Sequence, residues 1–197
     1  MILSNVELHR ALDEGRLVIK PEPAPRLPQL GGAHCPFDTH SVDLRLGDEI
    51  SIPRAGSFAY DHTQPGKLSE HLARNSDKRK LTNDQPYRLE RDKFVLGITY
   101  ERVSLPIFPD CEVCLAARIE GKSSRARTGL LIHFTAPTVH PGFNGHLVLE
   151  IINLGPSPIL LTPMMDIAQL IVEEVKGCPI RNDSQFQNQS TPDGVSR

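Results

Sequence analysis

The chain has 197 residues, of which 39% are hydrophobic and 5% aromatic, with no Trp. This length is sufficient for one well-packed domain, and the composition predicts an aliphatic core. The formal net charge of −2 lacks the basic excess that general nucleic-acid and membrane-surface binders usually show, so we expect neither function.

The N-terminus and the cysteines indicate a cytoplasmic, reduced setting. Residues 1–5 contain neither the basic nor the apolar region of a signal peptide. No apolar run approaches the ~20 residues of a membrane span. Four Cys do not make a disulfide framework, so we interpret the CxxC pair Cys111 and Cys114 as small buried residues rather than metal ligands.

The first 50 residues predict one helix and two strands. Ser4 and Glu7 form a capping-box pattern ahead of an apolar stripe, which predicts a short helix over residues 4–14. The apolar residues 17–19 predict a strand, and the proline-rich residues 20–36 predict a loop. Apolar and polar residues alternate over 41–46, which predicts a half-buried strand. Asp43 and Arg45 share one face, where they either pair or form a solvated face.

The remainder of the chain favours a mainly β fold. Residues 53–92 form a polar excursion, in which residues 68–80 predict a short helix with a solvated basic run. Further strands are predicted at 94–100, 147–152, 159–161 and 167–172. From 176 to 197 the chain is polar, either as a flexible tail or as a lid. Short strands and frequent Gly/Pro turns predict a jelly-roll-like barrel with a short N-terminal helix and small helical additions, forming one domain over 1–197.

Residues 121–170 hold two features that suggest chemistry. The first is a turn with hydroxyls and cations, which suits a phosphate chain but also occurs in solvated loops. Its members are Lys122, Ser123, Ser124, Arg125 and Arg127.

The second feature is Glu150, a lone carboxylate in an apolar run over 147–152. Both faces of this predicted strand are apolar, so we expect the side chain to be buried, where it either serves proton transfer near neutral pH or pairs with a buried Arg. His133 is interpreted as a hydrogen-bonded core histidine.

Together these motifs resemble the dCTP deaminase family of the dUTPase-like trimeric superfamily. The matching pieces are MILS at 1–4, SVDLRLG at 41–47, GKSSRARTGL at 121–130, HFTA at 133–136, PGFNG at 141–145, LE at 149–150, IAQL at 167–170 and FQNQ at 186–189. The resemblance implies a distorted jelly-roll of the dUTPase-like type and hydrolytic deamination of dCTP to dUTP.

The resemblance also implies roles for individual residues. Glu150 would shuttle protons between the attacking water and the leaving amino group, while Ser123, Arg127 and the backbone near Ala136 hold the water and the pyrimidine. The remaining implied substrate contacts are Lys122, Ser124, Val148, His140, Gln185 and Gln189. No metal would be bound by the protein itself, since Mg²⁺ would arrive on the triphosphate. The family is a homotrimer with its sites between subunits.

Three positions depart from the family pattern. His140 stands where the family usually has the Asp that contacts the deoxyribose, and Cys178 and Gln185 stand where its lid usually carries a Tyr and a Lys. Two alternatives therefore stay open: a bifunctional enzyme that releases dUMP and pyrophosphate, and a nucleotide-binding regulator without catalysis.

Overall fold

The computed structural model describes residues 1–56, 59–63, 68–109, 111–180 and 186–194. Three helices lie in these parts of the chain: α1 at Asn5–Asp13, α2 at Leu68–Arg74 and α3 at Ser123–Ala126. The strands are β1 Val18–Lys20, β2 Val42–Pro53, β3 Ser76–Lys80, β4 Tyr87–Leu89, β5 Phe94–Ser104, β6 Val113–Gly121, β7 Leu130–Ile132, β8 Thr138–Val139, β9 Asn144–Asn153, β10 Ile159–Leu161 and β11 Asp166–Lys176. The predicted mainly β fold is confirmed.

Most strands join a single sheet. Its path runs β7-β9-β5-β2-β11-β6-β8, with β1 added to β5 and β3 added to β2, and all described pairings are antiparallel. The strands β4 and β10 form a separate pair. No helix in the described ranges is long and apolar enough to cross a membrane.

The predicted N-terminal helix is confirmed. It begins after the N-cap Ser4, whose hydroxyl accepts a hydrogen bond from the Glu7 backbone N–H. Leu8 and Ala11 are fully buried against the aliphatic core. The segment before the helix is fixed to β11, because the Leu3 N–H donates to the Val172 carbonyl at 2.9 Å.

The structure corrects the prediction of a helix over residues 68–80. Helix α2 ends at Arg74, and the basic run lies in β3, which pairs with β2 from Pro53↔Ser76 to Glu49↔Lys80. Pairing with a neighbouring strand supplies backbone hydrogen bonds that local helix propensity cannot foresee. The polar excursion is thus attached to the main sheet.

Strand β2 is longer and more buried than its alternating sequence predicts. It pairs with β3, β5 and β11, and its residues 42–44 are all buried. Asp43 and Arg45 do not pair with each other and do not form a solvated face. Arg45 instead binds Glu101, which is fully buried and accepts hydrogen bonds from the Arg45 Nε at 2.6 Å and its backbone N–H at 2.8 Å.

The Glu101–Arg45 pair generates a stability prediction. Replacing Glu101 with Gln removes the charge that compensates the half-buried guanidinium, so we expect the free energy of unfolding to fall by about 1–3 kcal/mol. Urea denaturation measures this loss. Glu90→Gln is the matched control, because Glu90 pairs with Arg88 in solvent and exposed pairs contribute about 0–1 kcal/mol. Equal, small losses in both variants would contradict the prediction.

Candidate active site

The candidate site is a cavity of about 450 Å³ beside β9. Its wall combines residues from the middle of the chain with residues from the C-terminal segment and α2. They are Leu68, Leu72, Leu96, Ile119, His133, Ala136, Thr138, Val139, His140, Pro141, Phe143, Leu147, Val148, Glu150, Phe186, Gln187, Gln189, Pro192, Asp193 and Gly194. Most of this wall is apolar, with a few polar groups, as is usual for small-molecule sites.

Strand β9 contributes the carboxylate of Glu150 to the wall of this cavity. Successive side chains of a strand point to opposite faces. Leu149 and Ile151 are fully buried in the core, whereas Val148 and Glu150 lie on the other face and line the cavity. The prediction that Glu150 is buried is therefore only partly right for the single chain. Its side chain is half-buried, because its face of β9 borders a cavity rather than packed side chains.

The turn after β7 holds further polar groups next to this carboxylate. His133 has a left-handed backbone conformation, with φ of 51°, and its N–H donates to the Glu150 carbonyl at 2.7 Å. Its Nε2 lies 2.7 Å from the Ala136 carbonyl oxygen, which fits an imidazole that donates from Nε2. The Thr135 hydroxyl donates to Glu150 Oε2 at 3.4 Å. His133 is thus hydrogen-bonded as predicted, but it lines the cavity instead of the core.

The described part of the C-terminal segment closes one side of the cavity. Gln189 donates from Nε2 to the His146 carbonyl at 2.8 Å, and the His146 N–H donates to the Gln189 carbonyl at 3.2 Å. The Gln187 side chain bonds Asn144 N–H and the Gly142 carbonyl. Residues 186–194 are thus bound to β9 and its preceding turn and border the cavity, and they are called the lid below; closure of residues 176–197 over a ligand stays a prediction.

A buried ion pair fixes the end of this lid. Asp193 is 1% exposed, and its Oδ2 lies 2.9 Å from the Lys78 ammonium on β3. The Thr191 hydroxyl donates to its other oxygen. Burial by itself would raise the pKa of Asp193, but the hydrogen bonds from Thr191 and Lys78 and the Lys78 charge outweigh it and lower the pKa.

The excursion contributes directly to the cavity, which the sequence did not indicate. Leu68 and Leu72, one turn apart on α2, lie in the wall together with the lid residue Phe186. Their spacing of four residues in the sequence predicts that both side chains lie on the same face of the helix. The partner of this face cannot be predicted from the local sequence, because it depends on strand pairing between residues far apart in the chain.

Half of the predicted site residues meet in the cavity. Ala136, His140, Val148, Glu150 and Gln189 all line it. The predicted substrate contact Gln185 lies outside the described residues.

The predicted cationic turn does not line this cavity. Lys122 precedes α3, on which Ser123 and Ser124 are exposed, and Arg127 follows it, also exposed. The turn leads into β7, which pairs with the far end of β9 through Leu130↔Asn153. Gly129 makes this connection possible, since its φ is +91° and a Cβ there would collide with the Gly155 backbone.

Lys122 is held by the buried carboxylate of Asp43. The ammonium contacts Asp43 Oδ2, and His34 Nε2 lies 2.8 Å from the same oxygen. His34, Asp43 and Asp166 are the one group of possible metal ligands within the described ranges. A lysine ammonium already neutralises the shared carboxylate, so these residues do not fit a protein-bound cation as they stand.

The chain resembles known proteins over nearly its whole length. A family model described as dCTP deaminase-like matches residues 2–175. A dCTP deaminase of Natronomonas pharaonis is 37% identical over 198 residues, covering 98% of this chain and 92% of its own. A dUMP-forming dCTP deaminase of Kocuria rhizophila is 37% identical over 171 residues, covering 86% of this chain and 78% of its own.

One solved structure supports the architecture. The crystal structure of 2'-deoxycytidine 5'-triphosphate deaminase from Agrobacterium tumefaciens matches with a TM-score of 0.60 at 20% identity. The match covers 88% of this chain and 47% of that longer chain. The distorted jelly-roll expected from the sequence is therefore confirmed as the fold.

The ion pair under the lid generates a pH-dependent prediction. Since folding lowers the pKa of Asp193, its contribution to stability is complete above the ordinary carboxyl value of 3.8 and disappears as pH falls through the lowered value. We expect Asp193→Asn to reduce the free energy of unfolding by about 1–3 kcal/mol at pH 7. The difference from the unmodified chain shrinks below pH ~4.

Urea denaturation at several pH values measures this difference. The control is Asp48→Asn, which removes the exposed partner of Lys80; this lysine lies on β3, like Lys78. A difference between the Asp193→Asn and unmodified chains that grows on acidification would contradict the assigned role of the carboxylate.

Proposed function

This chain belongs to the dCTP deaminase-like family, and we propose that it hydrolyses the amino group of dCTP to give dUTP and ammonia. The observation that carries the proposal is Glu150, a carboxylate on the wall of a cavity large enough for a small ligand, covered by a lid. Relatives of matching length named dCTP deaminase support the same enzyme.

We propose Glu150 as the general acid and base. Water attacks C4 of the pyrimidine while the Glu150 carboxylate accepts its proton, and the carboxylic acid then protonates the departing amino group, which leaves as ammonia. The Thr135 hydroxyl donates to the carboxylate and orients it. The His133 imidazole bonds the Ala136 carbonyl and fixes its position. This carbonyl oxygen can then accept a hydrogen bond from the substrate.

The cationic turn supplies the second half of the proposed site. Ser123 and Arg127 would hold the water and the pyrimidine oxygen, and Ser124 would bind the triphosphate together with Gln189 of the lid. Lys122, the further predicted phosphate contact, would have to exchange its bond to Asp43 for one to the triphosphate. An exposed guanidinium and two exposed hydroxyls are free to approach such an anion. Mg²⁺ would accompany the phosphates, because Lys122 already neutralises the Asp43 carboxylate beside this turn.

The separation of the two halves within one chain supports a shared site between subunits. Ser123 and Arg127 lie outside the cavity that contains Glu150, and α3 is fixed to its own sheet through β7. We propose a homotrimer in which one subunit contributes the cavity and its neighbour the cationic turn. A symmetric assembly then repeats the complete site at each interface.

The bifunctional reaction is the second candidate. The relative from Kocuria rhizophila named as dUMP-forming has the same 37% identity to this chain as the dCTP deaminase of Natronomonas pharaonis. His140 stands on the cavity wall where the family pattern has Asp, so the sugar contact differs in this chain. The nucleotides released from dCTP separate the two candidates.

The general acid and base assignment predicts the effect of Glu150→Gln. The amide cannot carry the proton, so we expect kcat to fall about 10²–10⁴-fold with nucleotide binding retained. Ion-exchange separation of products after incubation with dCTP and Mg²⁺ measures turnover. The product dUTP alone fits the deaminase, and dUMP with pyrophosphate fits the bifunctional enzyme. A near-normal rate in Glu150→Gln would refute the assignment, while binding without product in the unmodified chain would favour a regulator.

The shared site predicts complementation between two inactive variants. Subunits with Glu150→Gln and subunits with Arg127→Ala are unfolded together and refolded in equal amounts. About a quarter of the interfaces should then combine an intact Glu150 from one subunit with an intact Arg127 from its neighbour, so we expect about a quarter of the normal activity. Each variant refolded alone is the control and should remain inactive. No recovery in mixed trimers of confirmed composition would show that both halves belong to one subunit.

A further inference from the structure

Three of the four cysteines lie around the start of the C-terminal segment. Cys114 is 4% exposed and faces the carbonyls of Val175 and Gly177, as expected for a small core residue. Cys111, by contrast, is only half-buried, and Cys178 is exposed. The prediction of two ordinary buried cysteines is therefore right for Cys114 and wrong for Cys111.

The pairing of β6 with β11 ends next to Cys111 and Cys178. The antiparallel pairing ends with Lys176↔Val113, and the next residues remain joined, because the Gly177 N–H donates to the Glu112 carbonyl at 2.7 Å. Cys178 and Cys111 are the next residues of the two segments beyond this hydrogen bond. Opposed residues of antiparallel strands have Cα atoms about 4.5–5.5 Å apart, which lies within the range that a disulfide spans.

Contacts between the side chains agree with this register. Desolvation and, after it, the proximity of the Cys178 thiol raise the pKa of Cys111. Cys178 also approaches the Phe108 carbonyl, so its side chain turns towards the loop that precedes Cys111.

The thiol pair adjoins the lid and the turn that borders the candidate site. Cys178 and Gly142 line a second cavity of about 400 Å³. Gly142 follows His140 and Pro141, which line the main cavity, and its carbonyl accepts a hydrogen bond from the lid residue Gln187 at 3.0 Å. A covalent link at Cys178 would therefore fix the chain where it leaves the sheet for the lid.

We propose that Cys111 and Cys178 are a redox site that closes to a disulfide and fastens the start of the C-terminal segment to β6. The oxidant is a low-molecular-weight disulfide such as oxidised glutathione. The exposed Cys178 thiolate attacks it, forming a mixed disulfide and releasing one glutathione. The Cys111 thiolate then attacks the Cys178 sulfur and releases the second glutathione. Two protein thiols are oxidised and one glutathione disulfide is reduced.

The test counts thiols in the full-length protein after treatment with oxidised glutathione at pH 8.5. Titration of the denatured chain should fall from four thiols to two, because one disulfide consumes two. Alkylation and digestion after Glu, which separates Cys111 from Cys114 at Glu112, should yield a Cys111–Cys178 cross-linked peptide. Four remaining thiols, a Cys114–Cys178 peptide or a disulfide-linked dimer on a non-reducing gel would each overturn the proposal.

Single variants make the assignment specific. Cys111→Ser should retain one glutathione on Cys178, because the resolving thiol is gone, and Cys178→Ser should form no disulfide. Cys35→Ser is the matched control and should still lose two thiols, since Cys35 lies elsewhere and contacts the Pro25 carbonyl. The oxidised chain should show a higher Tm that reductant reverses, because the cross-link constrains the unfolded chain. None of these readouts needs a substrate, so the proposal stands or fails independently of the proposed function.

Discussion

The alternation of side chains along β9 is the constraint on which the candidate site depends. Leu147, Leu149 and Ile151 are buried in the aliphatic core, and this burial fixes the register of the strand. A slip of one residue would expose all three, at a cost of about 1.5–3 kcal/mol for each side chain. Glu150 is consequently held on the opposite face, towards the cavity. Core packing therefore determines that the Glu150 carboxylate faces the cavity.

The cavity on that face is completed by segments that are distant in sequence. Leu68 and Leu72 reach it because β3, which follows α2, pairs with the central strand β2. The lid reaches it because its residues 187–189 bond to the first residues of β9. The buried Asp193–Lys78 pair then joins the lid to β3. Excursion and lid thus support each other, and both depend on the same sheet.

Charge is divided between the cavity and the cationic turn. The cavity contains Glu150 and Asp193, with Asp193 already neutralised by Lys78, whereas the exposed Arg127 lies beyond its wall. A polyanionic substrate needs cations that Glu150 cannot supply. In the proposed trimer, the cationic turn of a neighbouring subunit would bring these cations to the cavity.

The sequence alone determined the mainly β class and the N-terminal helix, and it singled out Glu150 as a candidate site residue. These follow from local patterns: Ser4 before an apolar stripe, strands bounded by Gly and Pro, and a carboxylate within an apolar run. The tertiary structure decided whether residues 76–80 form a strand, which partners Asp43 and Arg45 have, and that Glu150 borders a cavity. Each of these depends on strand pairing between residues far apart in the chain, and local periodicity carries no information about such partners.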